Sequence, residues 1–409
     1  MKILYIATSF PEPNKGDTIY TDLAEALHEG GHDITVAVAE QSRNLNVTTM
    51  KKERGFDVLR IVTGNYYDVN LFEKGLTTLK IPFLMRSGIK KYLSNHIFDF
   101  ILFEAPPVTN VSLVSWAKIK FNCPAYLMLK DIFPQNAVDL NMMRKNGILF
   151  KYFESQEKKL YRVADTIGCM SQANKKYILN HNPQIEPEKV TIFPNTKRIM
   201  SDVNFEDISK GQLRNKYNIP KSACLFLFGG NMGVPQYIDI LCEAVLHYKD
   251  TSNIFFLFVG RGTERYKLEN IIEHHKISNA LVLENLPRDD YNEITKEADI
   301  GLIVLDPRFT IPNYPSRILS YMEYGKPVLA VTDEVSDLKD LIDTAQCGEW
   351  VHSKNTSEFL NKIDDLSKRE DLSQLGKNGR KYMEQHLSVE QSVQILEKHF
   401  MDQERTNYV

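Results

Sequence analysis

Apolar residues fall along the chain in short, β-branched and aromatic runs, and between the runs they recur at helical spacing. The opening run, Ile3-Leu4-Tyr5-Ile6-Ala7, has the length of a buried strand. Residues 9–17, which follow it, carry Pro11, Pro13, Asn14 and Gly16 and read as a loop. Tyr20, Leu23, Ala24 and Leu27 then mark one face of a helix starting near Asp17 or Thr18; Gly30-Gly31 stops it, and 34–38 is a second buried strand. This is a βαβ unit. Further runs at 100–103, 125–129, 166–170 and 190–193, alternating with helical stretches, predict a doubly wound parallel sheet. Periodicity lapses over 197–211, where polar and acidic residues gather, and resumes with runs at 224–228, 254–259, 281–284, 300–304 and 328–331. Two sheets of similar size predict two domains and a cleft. Asp290-x-x-Glu293, Asn355-x-x-Glu358 and Ser388-x-x-Gln391 read as capping boxes. The last opens a helix striped with Val389, Val393, Leu396 and Phe400, which must pack on something.

A length of 409 residues accommodates two sizeable cores. Lys plus Arg number 50 against 53 acids, a formal charge of −3 that offers no global basic field for nucleic acid. The five cysteines are scattered and never spaced C-x-x-C, which argues against a zinc knuckle or a disulfide framework and for reduced, buried thiols. The first apolar run ends at Ser9-Phe10-Pro11, short of a signal peptide, and no run reaches the roughly 18 apolar residues of a membrane span. A cytoplasmic protein is the expectation.

Candidate chemistry collects where strands end. Gly16, in the first βα loop, either admits a substrate to free backbone amides or only turns the chain; the G-x-G-x-x-G of a dinucleotide site is missing there. Asp131, directly after an apolar strand, can take a proton or orient a hydroxyl, and can equally cap a turn. Gly229-Gly230-Asn231-Met232-Gly233 is a glycine-rich loop suited to cradling phosphate, although the Gly-Lys-Ser/Thr ending of a P-loop is lacking. Arg261, between Gly260 and Gly262 at the next strand end, suits a phosphate or is a surface charge. Pro315-Ser316-Arg317 opens a helix with Ser316 as the expected N-cap, a combination of dipole, hydroxyl and guanidinium that fits a diphosphate.

With these residues the sequence resembles retaining glycosyltransferases of family 4. Matching strings run in order through nearly the whole chain: Gly31-His32-Asp33-Ile34, Ile192-Phe193-Pro194-Asn195, Glu297-Ala298-Asp299-Ile300 and Gly325-Lys326-Pro327-Val328. Ala105-Pro106-Pro107, Asp131-Ile132-Phe133-Pro134 and Pro315-Ser316-Arg317 resemble the branch that makes bacterial O-antigen and capsular polysaccharide, including aminosugar transferases. The resemblance implies the α/β GT-B fold, with two Rossmann-like doubly wound domains facing each other across a cleft. Expected boundaries are 1–200 for the acceptor domain, 201–386 for the donor domain, and 387–409 for a C-terminal helix returning to the first. It implies a uridine diphosphate sugar as donor, with no cofactor. Donor residues would be Gly230, Asn231, Gly233, Gln236, Leu286, Arg288, Pro315, Ser316, Ser320 and Glu323. Acceptor residues would be Gly16, Asp17, Thr18, Glu104 and Lys130, and catalytic residues Asp131, Arg261 and Arg317.

The family pattern is not complete here. Its loop Arg and Lys fall on Asn231 and Gln236, and its E-x7-E glutamates fall near Pro312 or Asn313 and on Ser320, with Glu323 one turn beyond at a helix surface; its histidine falls on Lys130. Without a D-x-D sequence no metal is expected. The implied activity is transfer, with retention, of an N-acetylhexosamine or a deoxy derivative to a lipid-linked glycan. Alternatives on the same fold are a sugar-nucleotide 2-epimerase and a silent partner protein. Basic and aromatic residues interleave over 71–93 and 142–162, which suits an anionic membrane surface, so a peripheral location on the inner face of the plasma membrane is expected.

Overall fold

The computed structural model describes residues 1–65, 71–200, 211–284 and 286–406, with all their side chains except those at 71–74, 76, 288 and 401–406. The chain divides into two units, Met1–Arg198 with Val389–Val409, and Ile199–Ser388.

The first unit is built on eight strands: β1 (Lys2–Ala7), β2 (Asp33–Gln41), β3 (Thr49–Glu53), β4 (Phe56–Thr63), β5 (Phe100–Ala105), β6 (Ala125–Leu129), β7 (Thr166–Cys169) and β8 (Val190–Ile192). Their order across the sheet is β3-β4-β2-β1-β5-β6-β7-β8, and every pairing is parallel except β3 with β4. The central strands β1, β5 and β6 are nearly continuous apolar runs because helices cover both faces, so side chains on either face enter a core. β5 is buried at all of its positions. The final helix, Val389–Thr406, belongs to this unit. Its stripe is buried, Phe400 stacks on Phe100 with centroids 3.8 Å apart, and Glu397 meets His32 at 3.0 Å.

The second unit carries β9 (Cys224–Gly229), β10 (Ile254–Val259), β11 (Ala280–Leu283), β12 (Ile300–Val304), β13 (Val328–Thr332) and β14 (Gly348–His352). These form one parallel sheet in the order β11-β10-β9-β12-β13-β14. Arg214 is wholly buried at the start of this unit and donates to the carbonyls of Pro220, Ala223 and Glu297 and to Asp299.

One local expectation changes. Asp290 is not a cap: its helix, Arg288–Glu297, starts two residues earlier after Pro287. Asn355 does cap its helix, accepting from the Glu358 amide at 3.2 Å. The five cysteines are all free thiols, and among the described residues no helix is long and apolar enough to cross a membrane.

Candidate functional site

In a parallel sheet, ligand groups collect at the carboxyl ends of strands, and each unit presents such an edge. In the first, Glu104 near the end of β5 is buried and accepts from the Tyr5 hydroxyl at 2.8 Å and from the Thr8 amide at 2.5 Å. Burial pushes the Glu104 carboxyl up from its ordinary range, and the Thr8 and Tyr5 bonds pull against it. Lys130, directly after β6, donates to Asn195 at 2.9 Å and lies 5.4 Å from the Phe193 ring centre. Burial pushes its ammonium down to about 8, opposed by the charge of Glu104. Asp131 is pushed up to about 6 by burial, against hydrogen bonds from the Ile132 amide at 2.8 Å and the Asn136 amide group at 2.5 Å. Glu104, Lys130 and Asp131 therefore sit at neighbouring strand ends with Tyr5, Thr8 and Asn195, which sequence reading did not single out. Asn195 was visible within the Phe-Pro-Asn string; Tyr5, inside a strand, carried no signal of its own.

The first βα loop is more committed than its sequence suggests. Gly16 adopts a φ of 103° and its carbonyl accepts from Arg54 at 2.7 Å, while Asp17 pairs with the same arginine at 2.7 Å. Thr18 caps the helix Ile19–Glu29 reciprocally with Thr21, so its hydroxyl is a structural acceptor.

In the second unit the glycine-rich loop lies backbone to backbone against the loop after β10. Gly230 donates to the Val259 carbonyl (2.9 Å), Met232 to that of Arg261 (2.8 Å), and Glu264 to that of Met232 (2.9 Å). A Cβ on Gly260 would stand 1.9 Å from the Gly230 oxygen, so this approach needs glycine. The Gly233 amide donates to Gln236 Oε1 (3.2 Å), which also takes the Asn231 side-chain amide (3.3 Å). The amides of Gly230, Met232 and Gly233 are thus engaged within the loops, which narrows the expected phosphate cradle; the glycines serve close packing.

Arg317 provides the cationic group here. Its guanidinium lies over the Phe228 ring at 4.4 Å, borders Gly230, and keeps Nη1 buried without a hydrogen-bond partner. Burial lowers its pKa, against the pull of Tyr321 and Tyr291. A buried unpaired donor of this kind costs about 1–3 kcal/mol, and more when charged, so it creates demand for an anion. Ser316 occupies the cap position in a helical conformation and makes no capping bond, contrary to expectation. Its neighbour Pro315 and, one turn on, Ser320 are half-buried. Glu323, expected on a helix surface, is 1% exposed and accepts from the Met200 amide. Arg261 is 68% exposed and pairs with Glu284 at 3.6 Å. Leu286 is half-buried; the side chain of Arg288 lies outside the described residues. Among the described residues no three His, Cys, Asp or Glu side chains stand where they could hold a metal ion.

Two helices of the first unit expose apolar side chains among basic ones. Leu71–Leu93 shows Leu79, Leu84 and Phe83 (67% exposed) beside Lys80, Arg86 and Lys90; the helix Ile148–Val163 shows Leu149, Tyr152 and Ile148 (89%) beside Lys145 and Lys151. Both helices pack on the turn Val108–Asn110 that follows β5.

Residues 209–382 match the family described as Glycosyl transferases group 1. A probable glycosyltransferase, WbjE, of Pseudomonas aeruginosa is 25% identical over 273 residues, 64% of each chain, so the match spans just under two thirds of that relative. A putative colanic acid biosynthesis glycosyl transferase, WcaI, of Escherichia coli is 24% identical over 84% of this chain and 86% of its own. The crystal structure of Anabaena HepE in complex with UDP-glucose superposes with a TM-score of 0.69 at 15% identity, covering 98% of this chain and 100% of that one. That likeness establishes the GT-B fold, and with the sequence matches it supports a GT-B glycosyltransferase.

Proposed function

We propose that this protein is a retaining, metal-independent glycosyltransferase of family 4 that moves a sugar from a uridine diphosphate donor to a lipid-linked glycan. The sugar is an N-acetylhexosamine or a deoxy derivative, and the product is a capsular or O-antigen polysaccharide. The observation that carries the reading is the buried, unpartnered Nη1 of Arg317 beside Gly230, within the segment that matches Glycosyl transferases group 1. A diphosphate there supplies the missing acceptors, and the guanidinium stabilises the charge that grows on it as the sugar departs. The bond from the anomeric carbon to the diphosphate breaks with its electron pair on the diphosphate. The acceptor oxygen bonds to that carbon from the same face, and its proton passes to the leaving phosphate. Asp131 and Lys130 orient the acceptor, and Glu104 balances the lysine's charge. The exposed apolar and basic side chains around Phe83 and Ile148 support an acceptor held at the inner membrane face, and the name of one relative, a putative colanic acid biosynthesis glycosyl transferase, supports a polysaccharide product.

The test is calorimetric titration with uridine diphosphate, with and without chelator, for the native protein and Arg317→Ala. Binding insensitive to chelator and weakened about tenfold to a hundredfold by the substitution is expected, since hydrogen bonds to a charged group contribute roughly 1.5–3 kcal/mol. No binding points to a silent partner protein. Binding followed by sugar isomerisation without acceptor points to an epimerase.

A further inference from the structure

The β3–β4 hairpin stands outside the alternating α/β pattern: β3 lies at the sheet edge, pairs antiparallel, and exposes much of its surface. Its two-residue turn is Arg54-Gly55, with φ of 53° and 94°. Turns of this kind favour Asn-Gly, and a long side chain at the first position holds a left-handed backbone at some cost. Arg54 nevertheless stands there with its side chain 4% exposed, directed away from its own hairpin.

Its bonds all go to the first βα loop and the helix after it. Nη2 donates to the Gly16 carbonyl at 2.7 Å and to those of Pro11 and Glu12 at 3.4 Å; Nη1 donates to Asp17 at 2.7 Å and Glu25 at 2.6 Å. Arg60, on β4, is held in a two-pronged pair by Glu53 and donates to the Phe10 carbonyl at 2.9 Å. Two arginines of one hairpin thus bind the carbonyls at positions 10, 11, 12 and 16. The same loop walls a polar cavity of about 190 Å³ at the ends of β1 and β2, with Glu12, Lys15, Gln41, Asn44 and Arg60 in its lining. A guanidinium spreads five donors in a rigid plane, which a lysine cannot reproduce.

We infer that Arg54 is a positioning residue for the acceptor: it holds residues 9–17 in the one shape that receives the acceptor glycan, and the hairpin exists to present it. The inference rests on the transferase reading for what the loop binds, but the clamp itself is measurable without turnover. Hydrogen exchange is followed in the native protein, Arg54→Ala and Arg54→Lys, with melting temperatures recorded for each. Amides of residues 9–18 are expected to exchange about tenfold faster or more in Arg54→Ala, with the second unit unchanged. In transfer assays with membrane-extracted lipid-linked glycan, acceptor kcat/KM falls about tenfold to a hundredfold, because a loop displaced by about 1 Å misplaces the reacting hydroxyl. Affinity for uridine diphosphate stays at the native value. Arg54→Lys restores the ion pairs with Asp17 and Glu25 but not the set of carbonyl bonds, so it recovers melting temperature and not acceptor KM; it also serves if the alanine variant fails to fold. Unchanged exchange over 9–18 overturns the clamp, and so does a parallel loss of acceptor and nucleotide affinity or full recovery by lysine. A native protein that transfers no sugar at all defeats the transferase reading while the exchange data still decide the clamp.

Discussion

Gly260→Ala tests the packing of the two donor-side loops. The new Cβ would stand 1.9 Å from the Gly230 carbonyl oxygen, roughly 1.5 Å inside ordinary contact, at a φ of 148° that alanine rarely adopts. Neither neighbour is a flexible side chain, so backbone must move. Holding the strained φ costs about 1–3 kcal/mol, and opening the loops gives up the bond from Gly230 N to Val259 O, about 0.5–1.5 kcal/mol net. The sum, about 1.5–4.5 kcal/mol, corresponds to a fall of roughly 3–18 °C in the melting temperature of a unit of this size. Moving Gly230 also shifts the wall beside Arg317, so nucleotide affinity falls with stability. Trp350, in the second unit, bonds Thr332 at 2.9 Å and reports that unit's melt by fluorescence once Trp116 is replaced by Phe. A melt within about 1 °C of native with unchanged nucleotide affinity would falsify the packing argument.

Asp131→Asn is expected to stabilise the protein while lowering transfer. Burial raises the folded pKa of Asp131 to about 6, above its unfolded value, so its contribution is favourable below the unfolded pKa and is lost as pH rises through 6. Above that pH the native carboxylate is a penalty that asparagine removes, a gain of roughly 1–3 kcal/mol at pH 7 by denaturant titration. The gain vanishes near pH 4; a constant gain across pH 4–8 contradicts the assigned cause. Phe83→Glu combined with Ile148→Glu is expected to release the protein from sedimenting vesicles rich in anionic lipid, leaving nucleotide binding intact. Equal sedimentation of native and variant protein would remove the membrane proposal.

Legibility in the sequence followed burial. Most of the parallel strands were readable because helices cover both their faces and leave continuous apolar runs. β3 (Thr-Met-Lys-Lys-Glu), β4 and β14 (Gly-Glu-Trp-Val-His) were not read, since sheet-edge strands and those with polar positions such as Asp57 and Arg60 lack that signal. Helix boundaries failed where two signals competed: Asp290 has the look of a cap, but the chain turns helical at Arg288.

Strand order along the chain was enough to place Glu104, Lys130, Asp131 and Gly230 at strand ends, because a parallel sheet always brings its carboxyl ends to one edge, and Arg317 was read at the start of a helix. What each of these side chains does there was decided by residues far away in sequence. Tyr5 meets Glu104, Asn195 meets Lys130, and Arg54 reaches Gly16, none of them predictable from local pattern. Only the tertiary structure could show that the amides of the glycine-rich loop are already engaged, that Arg261 pairs in solvent with Glu284, and that Nη1 of Arg317 is buried without a partner. Periodicity records which side of an element is covered, whereas the chemistry of a charged group depends on which partners desolvate or satisfy it, and those partners are chosen by packing.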